Sequence, residues 1–254
     1  KKTPPISIII AIKNGANSLP NLLIDLKSQD YKGNLEFILV DDNSNDSTKQ
    51  IIKDICSEDC RFQYESSCNG SYLLNYKKRA LDAGIKRAKN EWLLFTDVDC
   101  RVKNSWVKQM AKYFTHDIDY VIGFSKIKKA DRLVTRFQAL DFFMLMISAR
   151  GTTKLRKAWA SSGQNQAYRK SLFKEVGGFS IIKNELQGDD TLFLQICRRK
   201  NISVIFADEK DCWTSSRKEV SWISLFRQRI RWSGDAKNMW KFNKIFFISI
   251  LSLF

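Results

Sequence analysis

The strongest constraint on the fold is the alternation of short apolar runs with helical patterns in the first hundred residues. Ile6–Ile12, Glu36–Val40 and Trp92–Thr96 show no helical period and are typical of strands buried on both faces. Helical patterns occupy the stretches between them, at residues 19–29, 46–56 and 77–88. This order of elements predicts an α/β fold with a mostly parallel central sheet flanked by helices.

Carboxylates follow two of these predicted strands. Asp42 comes after the second strand, and Asp97 and Asp99 come directly after the third. In parallel sheets ligands bind beyond the carboxyl ends of the strands. In extended chain, residues i and i+2 point the same way, so Asp97 and Asp99 would repel each other unless a cation lay between them. The D-x-D pattern therefore predicts a site for Mg²⁺ or Mn²⁺, which also binds phosphate oxygens.

Two further motifs can carry chemistry in the second half of the chain. Asp189 and Asp190 precede an apolar helical start, so this acidic pair fits either a helix N-cap or a general base at the mouth of a site. Gln228-x-x-Arg231-Trp232 combines a cation that can neutralise a diphosphate with a ring that can stack on a substrate. No Gly-rich phosphate loop is present, which disfavours P-loop chemistry.

The charge balance predicts an anionic partner. Lys and Arg number 43 and Asp and Glu 27, which gives a net charge of +16. Residues 219–232 alternate aromatic and basic side chains and predict an amphipathic helix that lies flat at a membrane interface. A second helix is predicted over residues 133–149, where packing in the core is favoured over contact with lipid. Its apolar positions are Leu133, Phe137, Leu140, Met144 and Ile147.

The order of these motifs resembles the family 2 inverting glycosyltransferases, which have a Rossmann-like GT-A fold. The motifs are Asp42, Asp97-x-Asp99, Asp190 and Gln228-x-x-Arg231-Trp232. The likeness is greatest to the membrane-bound branch that includes the cellulose, chitin and hyaluronan synthases and the ceramide glucosyltransferases. Supporting stretches run through the chain at residues 5–11, 40–48, 77–85, 95–100, 163–169 and 176–179.

The resemblance implies a role for each matched residue. Asp42 would contact the uracil or ribose of the donor, Lys77 would lie near the nucleotide, and Arg231 would lie near the diphosphate. Asp97 would contact the donor and, with Asp99, the Mg²⁺ or Mn²⁺ ion. Asp190 would be the general base, with Asp189 as its rival because the family's Glu-Asp pair is Asp-Asp here. Further donor contacts are expected from Ala11, Lys13 and Asn14, and acceptor contacts from Asn165, Gln228 and Trp232.

One stretch departs from the family pattern. After the first strand the family often has Arg-Asn-Glu, whereas this chain has Lys13-Asn14-Gly15, so the acid is missing.

These likenesses predict an enzyme that moves a sugar from a nucleotide-diphosphate donor, with a UDP-sugar favoured, to a polysaccharide or lipid acceptor. It would work on the cytoplasmic side of a bacterial-type inner membrane and contact the membrane surface, without binding nucleic acid. Two alternatives stay open. A nucleotidyltransferase would share the acidic site but usually begins with a Gly-rich loop, and a basic nucleic-acid-binding module would need a recognition motif that is not apparent.

The expected organisation has three parts. Residues 1–215 form the catalytic domain, residues 216–240 the amphipathic interfacial helix region, and residues 241–254 the start of a truncated transmembrane helix. The last assignment depends on the apolar run from Ile245 to Phe254, because a membrane span needs about 20 such residues.

Overall fold

A central sheet with helices on both faces forms the body of the protein. The computed structural model describes residues 3–128, 131–233, 240–245 and 248. The strands are β1 (Ile6–Ile12), β2 (Leu35–Asp41), β3 (Phe62–Ser66), β4 (Trp92–Phe95), β5 (Tyr120–Gly123), β6 (Ser125–Ile127), β7 (Gln166–Arg169), β8 (Val204–Ala207) and β9 (Thr214–Ser216). The helices are α1 (Leu19–Lys27), α2 (Thr48–Glu58), α3 (Tyr76–Arg87), α4 (Trp106–Met110), α5 (Leu133–Lys154), α6 (Lys170–Glu175), α7 (Thr191–Arg198) and α8 (Trp222–Ser233).

The seven strands of the main sheet lie in the order β3-β2-β1-β4-β7-β5-β8, and β6 and β9 form a separate pair. All pairings in the main sheet are parallel except those of β7, which runs antiparallel to both β4 and β5. The predicted α/β fold with a mostly parallel sheet is therefore confirmed. The carboxyl ends of β1, β2 and β4 meet at one edge of this sheet, which we call the carboxyl edge.

The antiparallel strand β7 brings a new segment to the carboxyl edge. Phe95, the last residue of β4, lies opposite Gln166, the first residue of β7. The residues immediately before Gln166 therefore stand beside those that follow Phe95. The sequence pattern of β7 did not predict a strand, although residues 163–169 are one of the stretches that support the family resemblance.

Two apolar cores cover the two faces of the sheet. One core contains side chains of α1, α2 and α4, and the other contains side chains of α3, α5, α6 and α7. Helix α3 approaches its face closely at Gly84, where an added Cβ would lie 2.5 Å from a methyl group of Ile9. A side chain at this position would push α3 outward, so glycine allows the helix to pack closely on the sheet.

Helix α5 buries a different stripe from the one that its apolar spacing suggested. The five apolar residues predicted to pack in the core are between 36% and 75% exposed, namely Leu133, Phe137, Leu140, Met144 and Ile147. The buried stripe contains Val134, Gln138, Phe142 and Met146. The preference for core packing is wrong for the predicted stripe, because spacing shows which residues share a helix face but not which face meets the protein.

The C-terminal stretch contains the predicted amphipathic helix, α8. No helix in the described part of the chain is long and apolar enough to cross a membrane. Most of the predicted start of a transmembrane helix, residues 241–254, lies outside the described residues, since only 241–245 and 248 are described there.

Candidate functional site

A cavity of about 490 Å³ opens at the carboxyl edge. Its walls come from the ends of β1, β2 and β4, the start of α3, the segment before β7, the loop before α7 and the end of α8. The structure thus brings together residues that are far apart in sequence. The predicted site residues that line it are Ala11, Lys13, Asp42, Lys77, Asp97, Asp189, Asp190, Arg231 and Trp232.

Two loops with left-handed residues form one side of the cavity. Asn14, after β1, and Asn43, after β2, have φ angles of 51° and 52°, a conformation that asparagine tolerates better than most residues. The Asn14 side-chain oxygen accepts a hydrogen bond from the Asn45 backbone N–H at 2.8 Å. The loops hold each other and leave Asp42 facing the cavity, with its carboxylate 4.0 Å from the Lys13 ammonium.

The D-x-D motif lies in a turn and not in extended chain. Strand β4 ends at Phe95, and the Cys100 backbone N–H donates to the Asp97 carbonyl at 3.1 Å. The expectation that Asp97 and Asp99 point the same way because they stand in extended chain is therefore wrong. Asp97 lines the cavity, and Asp99 is not among its lining residues. The two acids still interact, because burial and then the charge of Asp97 raise the pKa of Asp99.

A lysine ammonium lies between the first acids of the two acidic motifs. Lys77 Nζ is 2.8 Å from Asp97 Oδ1 and 2.9 Å from Asp189 Oδ2. Burial disfavours the charge of Lys77, but the charges of Asp189 and Asp97 outweigh it and raise its pKa well above the ordinary value. The carboxylates at this edge thus already hold one cation in the structure.

The surroundings of Asp190 fit both roles that the sequence left open. Its carboxylate accepts a hydrogen bond from the Thr191 backbone N–H at the start of α7, as an N-cap does, and another from the Gly163 N–H at 3.1 Å. Burial, together with the neighbouring charge of Asp189, raises the pKa of Asp190 to about 7. A carboxylate with this pKa can accept a proton near neutral pH, which suits a general base.

The loop that carries these two acids is anchored from below. The Gln166 amide donates to the Asp189 carbonyl at 3.2 Å, and its side-chain oxygen accepts from the hydroxyls of Tyr120 and Ser161. On the other side the buried ammonium of Lys78 donates to the carbonyls of Glu185 and Gln187. These bonds hold the backbone of the loop in place beside the cavity. The sequence did not identify Gln166 and Lys78 as the donors that anchor this loop, because only the fold places them under it.

The structure assigns other positions to three of the predicted binding residues. Asn165 is fully buried, and its side chain bonds to the Phe124 and Cys212 carbonyls and to the Trp106 indole, so it has a structural role in place of an acceptor contact. Gln228 lies between Gln138 of α5 and Glu219, away from the cavity. Asn14 holds the two loops together and is not among the residues that line the cavity.

Arg231 and Trp232 are held at the cavity by the packing of α8 on α5. The Trp232 ring lies 5.7 Å from that of Phe142, and the Arg229 guanidinium lies 4.5 Å above the Trp232 ring. Arg229 also forms an ion pair with Asp141 of α5. These contacts hold the end of α8 at the cavity, where Arg231 and Trp232 are among the lining residues.

The chemistry of the acidic pair fits a hard divalent ion. Asp97 and Asp99 supply carboxylate oxygens, and the ammonium bound at Asp97 shows that a cation is accommodated there. In the described ranges no group of three or more His, Cys, Asp or Glu side chains is arranged to hold a metal ion. A metal here would therefore take further ligands from water or from substrate phosphates, as Mg²⁺ commonly does.

Known proteins with similar sequences are glycosyltransferases. A poly-β-1,6-N-acetyl-D-glucosamine synthase from Staphylococcus epidermidis is 22% identical over 232 residues, which are 90% of this chain and 53% of that protein. A GalNAc(5)-diNAcBac-PP-undecaprenol β-1,3-glucosyltransferase from Campylobacter jejuni is 27% identical over 134 residues, 53% of this chain and 42% of that protein. The chain thus spans about half the length of these curated relatives.

Solved structures with the same fold include a mannosyltransferase from Pyrobaculum calidifontis in complex with GDP-Man and Mn²⁺. It superposes with a TM-score of 0.70 at 19% identity and covers 94% of this chain and 65% of that chain. S. aureus TarS 1-349 in complex with UDP-GlcNAc gives a TM-score of 0.58 at 19% identity. That superposition covers 85% of this chain and 59% of the TarS chain. These matches confirm the expected GT-A fold.

The sequence model of one family, Glycosyl transferase family 2, matches residues 7–177, about two thirds of the chain. This span includes β1 to β7, and with them Asp42, Lys77 and the D-x-D turn. The match confirms the family that the motif order indicated. The chain therefore belongs to glycosyl transferase family 2.

Proposed function

We propose that the chain transfers a sugar from a nucleoside-diphosphate donor, with a UDP-sugar favoured, to a hydroxyl of a polysaccharide or lipid acceptor, with inversion at the anomeric carbon. The observation that carries this proposal is the position of Asp190 in the cavity. Its carboxylate has a pKa of about 7 and stands next to the ion pair of Lys77 with Asp97. A proton acceptor and a cation-binding acid at one opening are the two groups that such a displacement needs.

The cationic side chains of the cavity suit the donor's diphosphate. Lys13, Lys77 and Arg231 all line the cavity, and Asp42 stands at the end of β2, where a nucleoside would lie in a sheet of this kind. A divalent ion held by Asp97 and Asp99 would neutralise the diphosphate as negative charge develops on it. Trp232 offers a ring face to the sugar or the acceptor.

The reaction would proceed as one displacement. The acceptor hydroxyl oxygen forms a bond to the anomeric carbon while the bond from that carbon to the diphosphate oxygen breaks. The electron pair of the broken bond leaves with the nucleoside diphosphate. Asp190 takes the hydroxyl proton, and Arg231 stabilises the leaving group's charge. Because attack and departure occur on opposite faces, an α-linked donor yields a β-linked product.

Anomeric configuration tests this proposal. With an α-linked UDP-sugar and a matching acceptor, ¹H NMR should show a β-linked product in the first turnovers and release of one UDP per sugar transferred. The expected inversion follows from a single displacement, in which the acceptor hydroxyl attacks the face of the anomeric carbon opposite the leaving diphosphate. An α-linked product would contradict the single displacement, and the donor's slow hydrolysis without acceptor serves as the control.

A membrane surface is the second part of the proposal. The exposed apolar residues of α5 and α8 form one ridge, in which the rings of Phe137 and Trp222 lie 5.5 Å apart and those of Trp222 and Phe226 6.3 Å apart. The same two helices and the residue before α5 also carry exposed arginines, namely Arg132, Arg136, Arg227 and Arg231. Apolar and cationic side chains on one face suit an anionic leaflet. The cytoplasmic side of an inner membrane remains our expectation for its location.

Loss of vesicle binding tests this surface. Phe137→Ser with Phe226→Ser should weaken sedimentation with phosphatidylglycerol vesicles roughly tenfold or more, since burying each phenyl ring contributes about 1.5–3 kcal/mol. The melting temperature should stay nearly unchanged, because both side chains are more than half exposed. Ile24→Ser, at a comparably exposed position on α1, is the matched control. Unchanged binding with a lower melting temperature would show that the ridge packs against protein.

A further inference from the structure

The Lys77 ammonium occupies a position that a metal-binding site needs. Lys77 Nζ lies 2.8 Å from Asp97 Oδ1 and 2.9 Å from Asp189 Oδ2. A Mg²⁺ ion would bind a carboxylate oxygen at about 2.0–2.1 Å, closer than the ammonium does. A metal bound at Asp97 would have to share the carboxylate with the lysine and would stand close to its positive charge, so the two cations compete for Asp97.

The local backbone does not favour this placement of a lysine. Helix α3 starts at Tyr76, whose φ of 55° is unusual for a non-glycine residue, and Lys77 and Lys78 follow in its first turn. The N-terminus of a helix carries partial positive charge and disfavours cations. The acids across the cavity therefore hold Lys77 where it is, and the contact is one that a stronger cation can replace.

The Lys77 ammonium lies between the Gly163 backbone and the cavity. On one side stands Gly163, where an added Cβ would lie 3.1 Å from Lys77 Nζ and 3.1 Å from Asp189 Oδ2. On the other side Lys77 lines the open cavity. If Lys77 leaves Asp97, its ammonium turns toward the cavity, where the proposed donor would place its diphosphate.

We propose that Lys77 is a resident counter-cation of the empty site, which competes with the divalent metal for Asp97 and moves to the donor's diphosphate when metal and donor bind. The proposal rests on the proposed function. Competition from Lys77 makes metal binding weak in the absence of nucleotide. It also couples the two ligands, because a bound metal frees Lys77 for the diphosphate and a bound diphosphate draws Lys77 away from Asp97. Such coupling is reciprocal.

Mn²⁺ binding without nucleotide tests the exchange. In electron paramagnetic resonance titrations, Lys77→Gln should bind Mn²⁺ at least about fivefold more tightly than the parent, the lower end of typical couplings between ligands. Lys77→Arg, which keeps the charge, should remain as weak as the parent. Lys77→Met provides a second neutral variant, and circular dichroism melting checks that each variant is folded.

Lys13→Gln is the matched control, because its ammonium lines the same cavity but stands 4.0 Å from Asp42 and contacts neither Asp97 nor Asp189. It should leave Mn²⁺ affinity nearly unchanged. Equal affinity in Lys77→Gln, Lys77→Met and the parent would overturn the exchange, and so would an equal gain in Lys13→Gln, which would show a general charge effect. UDP-sugar turnover by the parent is measured separately, so failure of the exchange is distinct from failure of the proposed function.

Discussion

Asp190→Asn is expected to lower kcat by about 10²–10⁴-fold, the usual contribution of a general base, with donor affinity nearly unchanged. An asparagine can still accept the hydrogen bond at the start of α7 but cannot take up a proton at neutral pH. The base acts on the acceptor hydroxyl, so the nucleotide should not sense the change. Single-turnover rates and UDP binding by calorimetry measure the two quantities.

The neighbouring carboxylate is the matched control for this substitution. Asp189 forms an ion pair with Lys77, and its backbone carbonyl accepts from Gln166. We expect Asp189→Asn to reduce kcat less and to alter metal or donor binding more, because it frees Lys77 from one of its two partners. If Asp189→Asn had the larger effect on the chemical step, the two acids would have to exchange roles.

Loss of the metal-binding acids is expected to have the second large effect. Asp97→Asn, Asp99→Asn or treatment with EDTA should reduce turnover at least about a hundredfold, because a bound divalent ion supplies several kcal/mol of charge stabilisation. Added Mn²⁺ should restore the EDTA-treated parent but neither variant at the same concentration. The measurement is UDP release under saturating donor, together with Mn²⁺ binding in the presence of UDP.

A remote aspartate controls for the loss of one negative charge. Asp117 is exposed in the segment before β5, and Asp117→Asn should keep parental turnover and Mn²⁺ binding. Full activity of the parent in EDTA, with no metal detected in the sample, would contradict a role for Asp97 and Asp99 as metal ligands.

The sequence predicted the first half of the fold well because its strands are buried on both faces. β1 spans Ile6–Ile12 as expected, β2 is longer than predicted by one residue at each end, and β4 is one residue shorter at its carboxyl end. Strand β7 escaped prediction, since Gln166 and Arg169 at its ends read as loop and only long-range pairing with β4 and β5 makes it a strand.

The candidate site was predictable in its residue types but not in its contacts. Carboxylates at the ends of strands mark the site, because parallel topology brings those ends together. The Lys77 bridge depends on how the loop before α7 folds over the start of α3, and no local pattern encodes that distance. Asn165 looked like a binding residue within a motif, yet the register of β7 places it in the interior.

The pH dependence of the chemical step tests most directly whether Asp190 is the base. Because its pKa is raised to about 7, the carboxylate is largely protonated and inactive below that pH and becomes competent above it. We expect the single-turnover rate to rise roughly tenfold per pH unit below pH 7 and to level off above about pH 8. The residual rate of Asp190→Asn should lack this rise. A parental rate that stays flat across this range, or a variant that keeps the parental profile, would contradict the assignment of Asp190 as the general base.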